Sequence, residues 1–168
     1  MRNGTEKRLF VAATSQNDGK TTCSLGFMDS FHGLAGSVGF IKPVGQRYVL
    51  VEDEQIDEDS FLLHRVCNLN CALKDLSPIA IPKGFTRHYI EHPEQHEQLV
   101  ARILQAYQKS ARDKDLVVIE GTGHAGVGSV FGLSNARVAV LLGAKVIIVM
   151  CGGLRRSVDE ITNNSSLS

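Results

Sequence analysis

The chain alternates short apolar runs with amphipathic stretches. Leu9-Phe10-Val11-Ala12-Ala13 is a continuous apolar run of strand length, the pattern of a strand buried on both faces in a parallel sheet. A polar loop over 14–19 follows. Cys23, Phe27, Met28 and Phe31 then recur at helical spacing and predict a helix over 20–32. Residues 37–42 read as a second strand, stopped by Pro43, which has no N–H to give to a ladder. Residues 49–57 are acidic and ambiguous, and 57–66 predict a helix with Phe61, Leu62 and Val66 as its apolar stripe. The stretch 76–93 reads as irregular, punctuated by Pro78, Pro82, Gly84 and Pro93. Pro93 opens a long amphipathic helix to Arg112, with Leu99, Ile103, Leu104 and Tyr107 on one face. Asp115 to Glu120 is a third buried strand, 121–132 a glycine-rich loop, 134–143 a small helix and 145–151 a fourth strand. Strands alternating with helices predict an α/β fold: three layers, with a mostly parallel sheet carrying helices on both faces.

The end of the chain breaks this rhythm. A helix over 157–161 leads into Thr162-Asn163-Asn164-Ser165-Ser166-Leu167-Ser168, which is polar and has no core face. The expectation is one domain over 1–161 with a disordered tail over 162–168. Four parallel strands make a small sheet, so the chain reads as C-terminally truncated, stopping before its fold is finished. An unfinished sheet edge invites pairing, and a homodimer is one expected outcome.

Composition narrows the function classes. Lys and Arg number 18 against 18 Asp and Glu, so the formal net charge is zero. With no basic run either, binding of nucleic acid through bulk charge is excluded. No stretch approaches the roughly 20 apolar residues needed to span a bilayer. The apolar run after the polar residues 1–8 is too short for a signal-peptide core, which predicts a cytoplasmic protein and no membrane partner. The cysteines, Cys23, Cys67, Cys71 and Cys151, fit that compartment as reduced thiols. Cys67 and Cys71 lack a second Cys/His pair at zinc-ligand spacing, and Cys67 reads as a helix end.

The glycine content, 16 residues, gathers in two loops, and there the candidate chemistry lies. Thr14-Ser15-Gln16-Asn17-Asp18-Gly19-Lys20-Thr21-Thr22 sits between a buried strand and a helix. A phosphate-binding loop needs inward backbone N–H groups, a helix N-terminus, a lysine for the β/γ-phosphates and a hydroxyl for Mg²⁺. Gly19, Lys20 and Thr21 supply the last three residues of the G-x-x-x-x-G-K-[ST] pattern, while Thr14 stands in place of its first glycine. The expected cradle is Ser15, Asn17, Asp18, Gly19, Lys20, Thr21 and Thr22, with Gly121 and Gly123 approaching the ligand from the second loop. A helix start that merely happens to read Gly-Lys-Thr is the bland alternative.

Glu120 ends the third strand, where the crevice of an open α/β sheet binds ligands, and can hold Mg²⁺ there. The alternative is a strand-end carboxylate facing solvent. Lys42 ends the second strand and aims at the same crevice, where a second lysine would neutralise charge developing during phosphoryl transfer. Asp57, Glu58 and Asp59 open a helix, where its dipole favours carboxylates in any case; one of them can complete a magnesium shell. His88, His92 and His96 lie at i, i+4, i+8, but Pro93 interrupts that helix, so a metal stripe is not expected. Lys83 and Arg87, near a turn, read as a solvated loop ahead of an acidic-substrate contact.

With these residues in hand, the chain resembles the dethiobiotin synthetase-like group of P-loop proteins. That group includes dethiobiotin synthetases, cobyrinic acid a,c-diamide synthases and the amino-terminal domains of long phosphate acetyltransferases. The resemblance covers about 8–161 and rests on three motifs in order: 13–22, Lys42-Pro43 and Glu120-Gly121. It implies a P-loop NTPase-type fold with ATP and Mg²⁺ as cofactors. Lys20 and Lys42 are implied as catalytic residues, with Thr21, Asp59 and Glu120 as metal-facing groups. Lys-Pro-Val-Gly-Gln at 42–46 looks closer to the phosphate acetyltransferase amino-terminal domain, since synthetases carry a serine-containing stretch after Lys-Pro-Val. His124 also interrupts a glycine loop that holds small residues in the synthetases. ATPases of the chromosome-partitioning type are set aside, because Ser15 stands where they carry their signature lysine.

The resulting expectation is Mg-ATP binding with ATP-dependent carboxylate or carbamate activation of an unidentified small-molecule substrate. The alternatives are a regulatory nucleotide-binding module without catalysis, or a non-functional remnant.

Overall fold

The computed structural model describes residues 6–82, 89, 93–123 and 128–152. In chain order its first half holds β1 (Lys7–Ala13), α1 (Lys20–Ala35), β2 (Val38–Ile41), β3 (Val44–Gly45), β4 (Tyr48–Val51), β5 (Glu54–Asp57) and α2 (Glu58–Val66). There follow α3 (Leu73–Leu76), β6 (Ile79–Ala80), a 3-10 turn at Pro93–Gln95, α4 (His96–Ser110), β7 (Leu116–Glu120), α5 (Asn135–Leu141) and β8 (Lys145–Val149). The predicted helix over 157–161, the tail over 162–168 and the His88, His92, Lys83, Arg87 and His124 side chains lie outside the described residues.

The main sheet is wholly parallel, in the order β2-β7-β1-β8. Alternate strand residues face opposite layers, as the period of two requires. Val11, Val38, Phe40, Leu116 and Val118 pack with Met28 of α1 and Leu63 of α2. Phe10, Ile41, Val117 and Ile119 pack with Leu99, Ile103, Ala106 and Tyr107 of α4 and Val138 and Ala139 of α5. The three-layer expectation holds. Register sets the functional edge: Val11 pairs with Glu120, Ile41 with Ile119 and Ala13 with Val149, so all four strands end together.

Three local expectations change. The ambiguous acidic stretch is the antiparallel β4–β5 hairpin, closed by Glu52 (φ 50°) and Asp53 (φ 65°), both left-handed, the geometry of a two-residue I′ turn. Helix α2 turns a different face inward: Ser60 and Leu63 are buried while Leu62 and Val66 are exposed. Ser60 can sit inside because its hydroxyl donates to the Leu76 carbonyl at 3.2 Å. Strand β8 forms but is not buried, with Val146, Ile147 and Ile148 all exposed at the sheet edge. No described helix is long and apolar enough to cross a membrane.

A polar clamp fastens the start of β1 to the helices beneath it. The Glu6 carboxylate accepts from the Tyr107 hydroxyl at 2.9 Å and from Arg8 Nε at 3.0 Å, and Arg8 Nη1 donates to the Leu142 carbonyl at 2.9 Å. Burial alone would raise the Glu6 carboxyl, but its own backbone N–H, the Tyr107 hydroxyl and Arg8 hold it below its ordinary 4.5. A carboxyl lowered in the folded state stabilises above that ordinary value, and the gain disappears as pH falls through the lowered one. Glu6→Ala is therefore expected to cost about 1 kcal/mol at pH 7, the worth of such hydrogen bonds. Denaturant titrations of both proteins should show the gap narrowing below pH 4.5.

Candidate functional site

The loop between β1 and α1 is held in shape by one carboxylate. Asp18 Oδ2 accepts from the Ser15 backbone N–H at 2.8 Å and from the Thr14 hydroxyl at 3.0 Å. That brace accounts for Thr14 in the first-glycine position: its side chain is used to fold the loop. Asn17 (φ 70°) and Gly19 (φ 93°) are both left-handed, and Gly19 is the residue from which α1 starts. Among the described residues no side chain caps α1, which leaves its first N–H groups to an anion. Cys151 touches the loop from behind, its thiol donating to the Asp18 carbonyl at 3.4 Å.

Lys20 is buried, and its Nζ donates to the Gly123 carbonyl at 2.6 Å, joining the two glycine loops. Burial pushes its pKa below the ordinary 10.5, with Glu120 pulling the other way. Thr21 Oγ1 donates to Glu120 Oε1 at 3.1 Å, so Lys20 and Thr21 of α1 meet the tip of β7 at one end of the sheet.

Lys42, next after β2, is the centre of an acidic ring. Its Nζ lies 3.1 Å from Asp57 Oδ1 and 3.4 Å from Glu120 Oε1, and it hydrogen-bonds Asp59 Oδ2. Burial alone would lower Lys42, but the three carboxylates outweigh it and hold the ammonium well above its ordinary range. Glu120, fully buried, and Asp57, 1% exposed, are pushed up by burial, with Lys42 offsetting part of the rise. Asp59 is held below the usual carboxylate range: burial alone would raise it, but the Lys42 charge and hydrogen bond outweigh that.

Lys20, Thr21, Lys42, Asp59 and Gly123 line one cavity of about 270 Å³, together with Asn17, Gly19 and Thr22. Ser15 and Asp18 are not among the residues that line it; their mutual hydrogen bond holds the loop. Gly121 is not among the lining residues: a Cβ there would meet Asn135 Oδ1 at 2.8 Å and Phe10 Cε1 at 2.9 Å, so the space of a side chain is filled by the core. Sequence reasoning passed over Asp57 in favour of Asp59 and left Gln46 and Arg47 unassigned. Both line the cavity, and Arg47 Nη2 donates to Asn17 Oδ1 at 3.0 Å, tying the β3–β4 turn to the phosphate loop.

The donor set suits a hard cation that keeps phosphate and water ligands. Glu120 Oε2 is buried without a hydrogen-bond partner among the described residues, and Thr21 offers a hydroxyl beside it. Among the described residues no three His, Cys, Asp or Glu side chains coordinate a metal by themselves.

A family model described as an AAA domain matches residues 7–167. The chain is 29% identical over 141 residues to a phosphate acetyltransferase of Pseudomonas aeruginosa, a match covering 84% of this chain and 19% of that protein. It is 25% identical over 146 residues to the ATP-dependent dethiobiotin synthetase BioD of Ralstonia nicotianae, covering 87% of this chain and 63% of that one. The chain thus spans less than two thirds of the length of either relative.

Proposed function

We propose that this chain, which belongs to the AAA-domain family and is a P-loop nucleotide-binding protein, binds Mg²⁺-ATP and uses it to activate a carboxylate or carbamate on a small-molecule substrate. The observation that carries the reading is the convergence of Lys20, Thr21, Lys42 and Asp59 on one cavity at the carboxyl ends of the strands, with Glu120 beneath it.

Each residue has a role in this reading. The backbone N–H groups of the loop and the start of α1 bind the phosphates, and Lys20 leaves the Gly123 carbonyl to take the β/γ oxygens. Thr21, Glu120 and Asp59 would hold Mg²⁺, which would supply positive charge against the phosphates. Lys42, charged and lining the same cavity, offsets the negative charge that spreads over the transferring group. The name of the Ralstonia relative, an ATP-dependent synthetase, supports the reaction class.

A second reading, a regulatory module that binds nucleotide without turnover, is favoured by Gly45-Gln46-Arg47 and by the similarity to the phosphate acetyltransferase. Phosphate release measured with amine, acid and amide acceptors separates the two. Sustained acceptor-dependent release is expected. Binding with release no faster than background would leave the module.

A further inference from the structure

We infer that Asp57 is a positioning residue of the site: one carboxylate fixes Lys42 and the helix carrying Asp59 relative to each other. This rests on the nucleotide-site reading above and deepens it.

Lys42 and Asp59 belong to segments separated by the whole β4–β5 hairpin, whose outer strand β4 is largely exposed. The Lys42 N–H and the Ser60 hydroxyl share the Leu76 carbonyl, at 2.8 and 3.2 Å, and Asp57 Oδ1 adds a link to the ammonium itself. That oxygen lies 3.1 Å from Lys42 Nζ and accepts the backbone N–H groups of Asp59 at 3.0 Å and Ser60 at 3.4 Å, capping α2. The Asp57 N–H in turn donates to Ser77 Oγ at 2.9 Å, in the segment that precedes β6.

Gly45 completes the seat. A Cβ at that position would collide with the Asp57 carboxylate, whose Cγ would lie 2.8 Å away. The glycine of Lys-Pro-Val-Gly is therefore explained by the acid that fills its space. Asp57 is itself 1% exposed yet reaches the cavity wall. When Asp59 is drawn toward a cation, Asp57 remains as the anchor that keeps the Lys42 ammonium at the cavity.

A plain helix cap would look similar, and the choice of variant separates the two. Asparagine caps a helix about as well as aspartate but carries no charge for Lys42. Asp57→Asn is expected to keep the fold, with a thermal midpoint within a few degrees of wild type. Acylation of Lys42 by an amine-reactive reagent, read by peptide mass spectrometry, should rise about fivefold against the exposed Lys74 and Lys109 as internal references. The dissociation constant for Mg²⁺-ATP should rise about tenfold. Gly45→Ala, which displaces the same carboxylate, should reproduce both changes. Unchanged Lys42 acylation in folded Asp57→Asn overturns the assignment, whatever the nucleotide data show. A wild-type protein that ignores Mg²⁺-ATP while Lys42 protection still depends on Asp57 would overturn the nucleotide reading alone.

Discussion

Replacing Lys20 by methionine is expected to weaken nucleotide binding by roughly 10- to 100-fold while leaving the fold intact. The first half follows from the loss of a charged donor to phosphate, a contact worth about 1.5–3 kcal/mol, with about 1.4 kcal/mol to each factor of ten. The second follows from the environment of the lysine without ligand. The residue is 7% exposed, its ammonium donates to the Gly123 carbonyl, and burial pushes it below its ordinary pKa. The charged form is thus held at a cost that methionine removes, offsetting the lost hydrogen bond. Isothermal calorimetry with ATP and a denaturant melt on the same samples give the two numbers. A lysine that merely supports the fold would reverse the pattern, with a large loss of stability and little change in affinity.

Lys42→Met is expected to act the other way round, costing about 3–5 kcal/mol of stability, or roughly 10 °C in Tm. The ammonium is the shared partner of Asp57 and Glu120, two buried carboxylates that would otherwise lose their nearest counter-charge. Removing one partner of a buried ion pair is far worse than never having had the pair. The pH dependence carries its own sign. Without Lys42 both buried acids are raised further, so the folded variant takes up protons that the unfolded chain releases, and it gains stability as pH falls. The gap between wild type and Lys42→Met should therefore shrink on acidification. Millimolar Mg²⁺ should narrow it too, because a cation among these oxygens binds the folded state and replaces the missing charge.

The parts of this site that could be read from sequence are those where a single residue type has a local reason to be there. Gly19-Lys20-Thr21 falls between an apolar strand and a helix, Pro43 marks where β2 must stop, and Glu120 closes a run of four apolar residues. These are enough for the sheet, its working edge and the Lys20, Thr21 and Lys42 part of the cavity lining. What was not legible depends on contacts between distant segments. Asp18 reads as a loop acid until its carboxylate is seen bracing Thr14 and Ser15. Asp57 and Asp59 look interchangeable at the start of a helix, and only the buried cap and the Lys42 contact tell them apart.

Surface elements were obscured for another reason. The β4–β5 hairpin turns on Glu52-Asp53, without the Asn-Gly or Asp-Gly pair that announces such turns, and much of its apolar content is exposed. The inner face of α2 carries Ser60, which an apolar-stripe count passes over because its partner is a carbonyl from another segment. Gly121 sits in a glycine-rich stretch that suggests a ligand, yet the space it leaves is filled by Phe10 and Asn135. For α2 and for Gly121 the deciding neighbour belongs to another segment of the chain.

The central claim is that the loop from Thr14 to Thr21 and the carboxylate tip of β7 form one metal-dependent nucleotide site. Titration of the protein with ATP in a calorimeter, first with Mg²⁺ and then with the metal chelated, tests it most directly. Saturable binding that weakens at least tenfold on chelation, and that loses this metal dependence in Glu120→Gln, is the predicted result. Absence of heat at millimolar ATP in the presence of Mg²⁺, from protein that melts cooperatively, would contradict it.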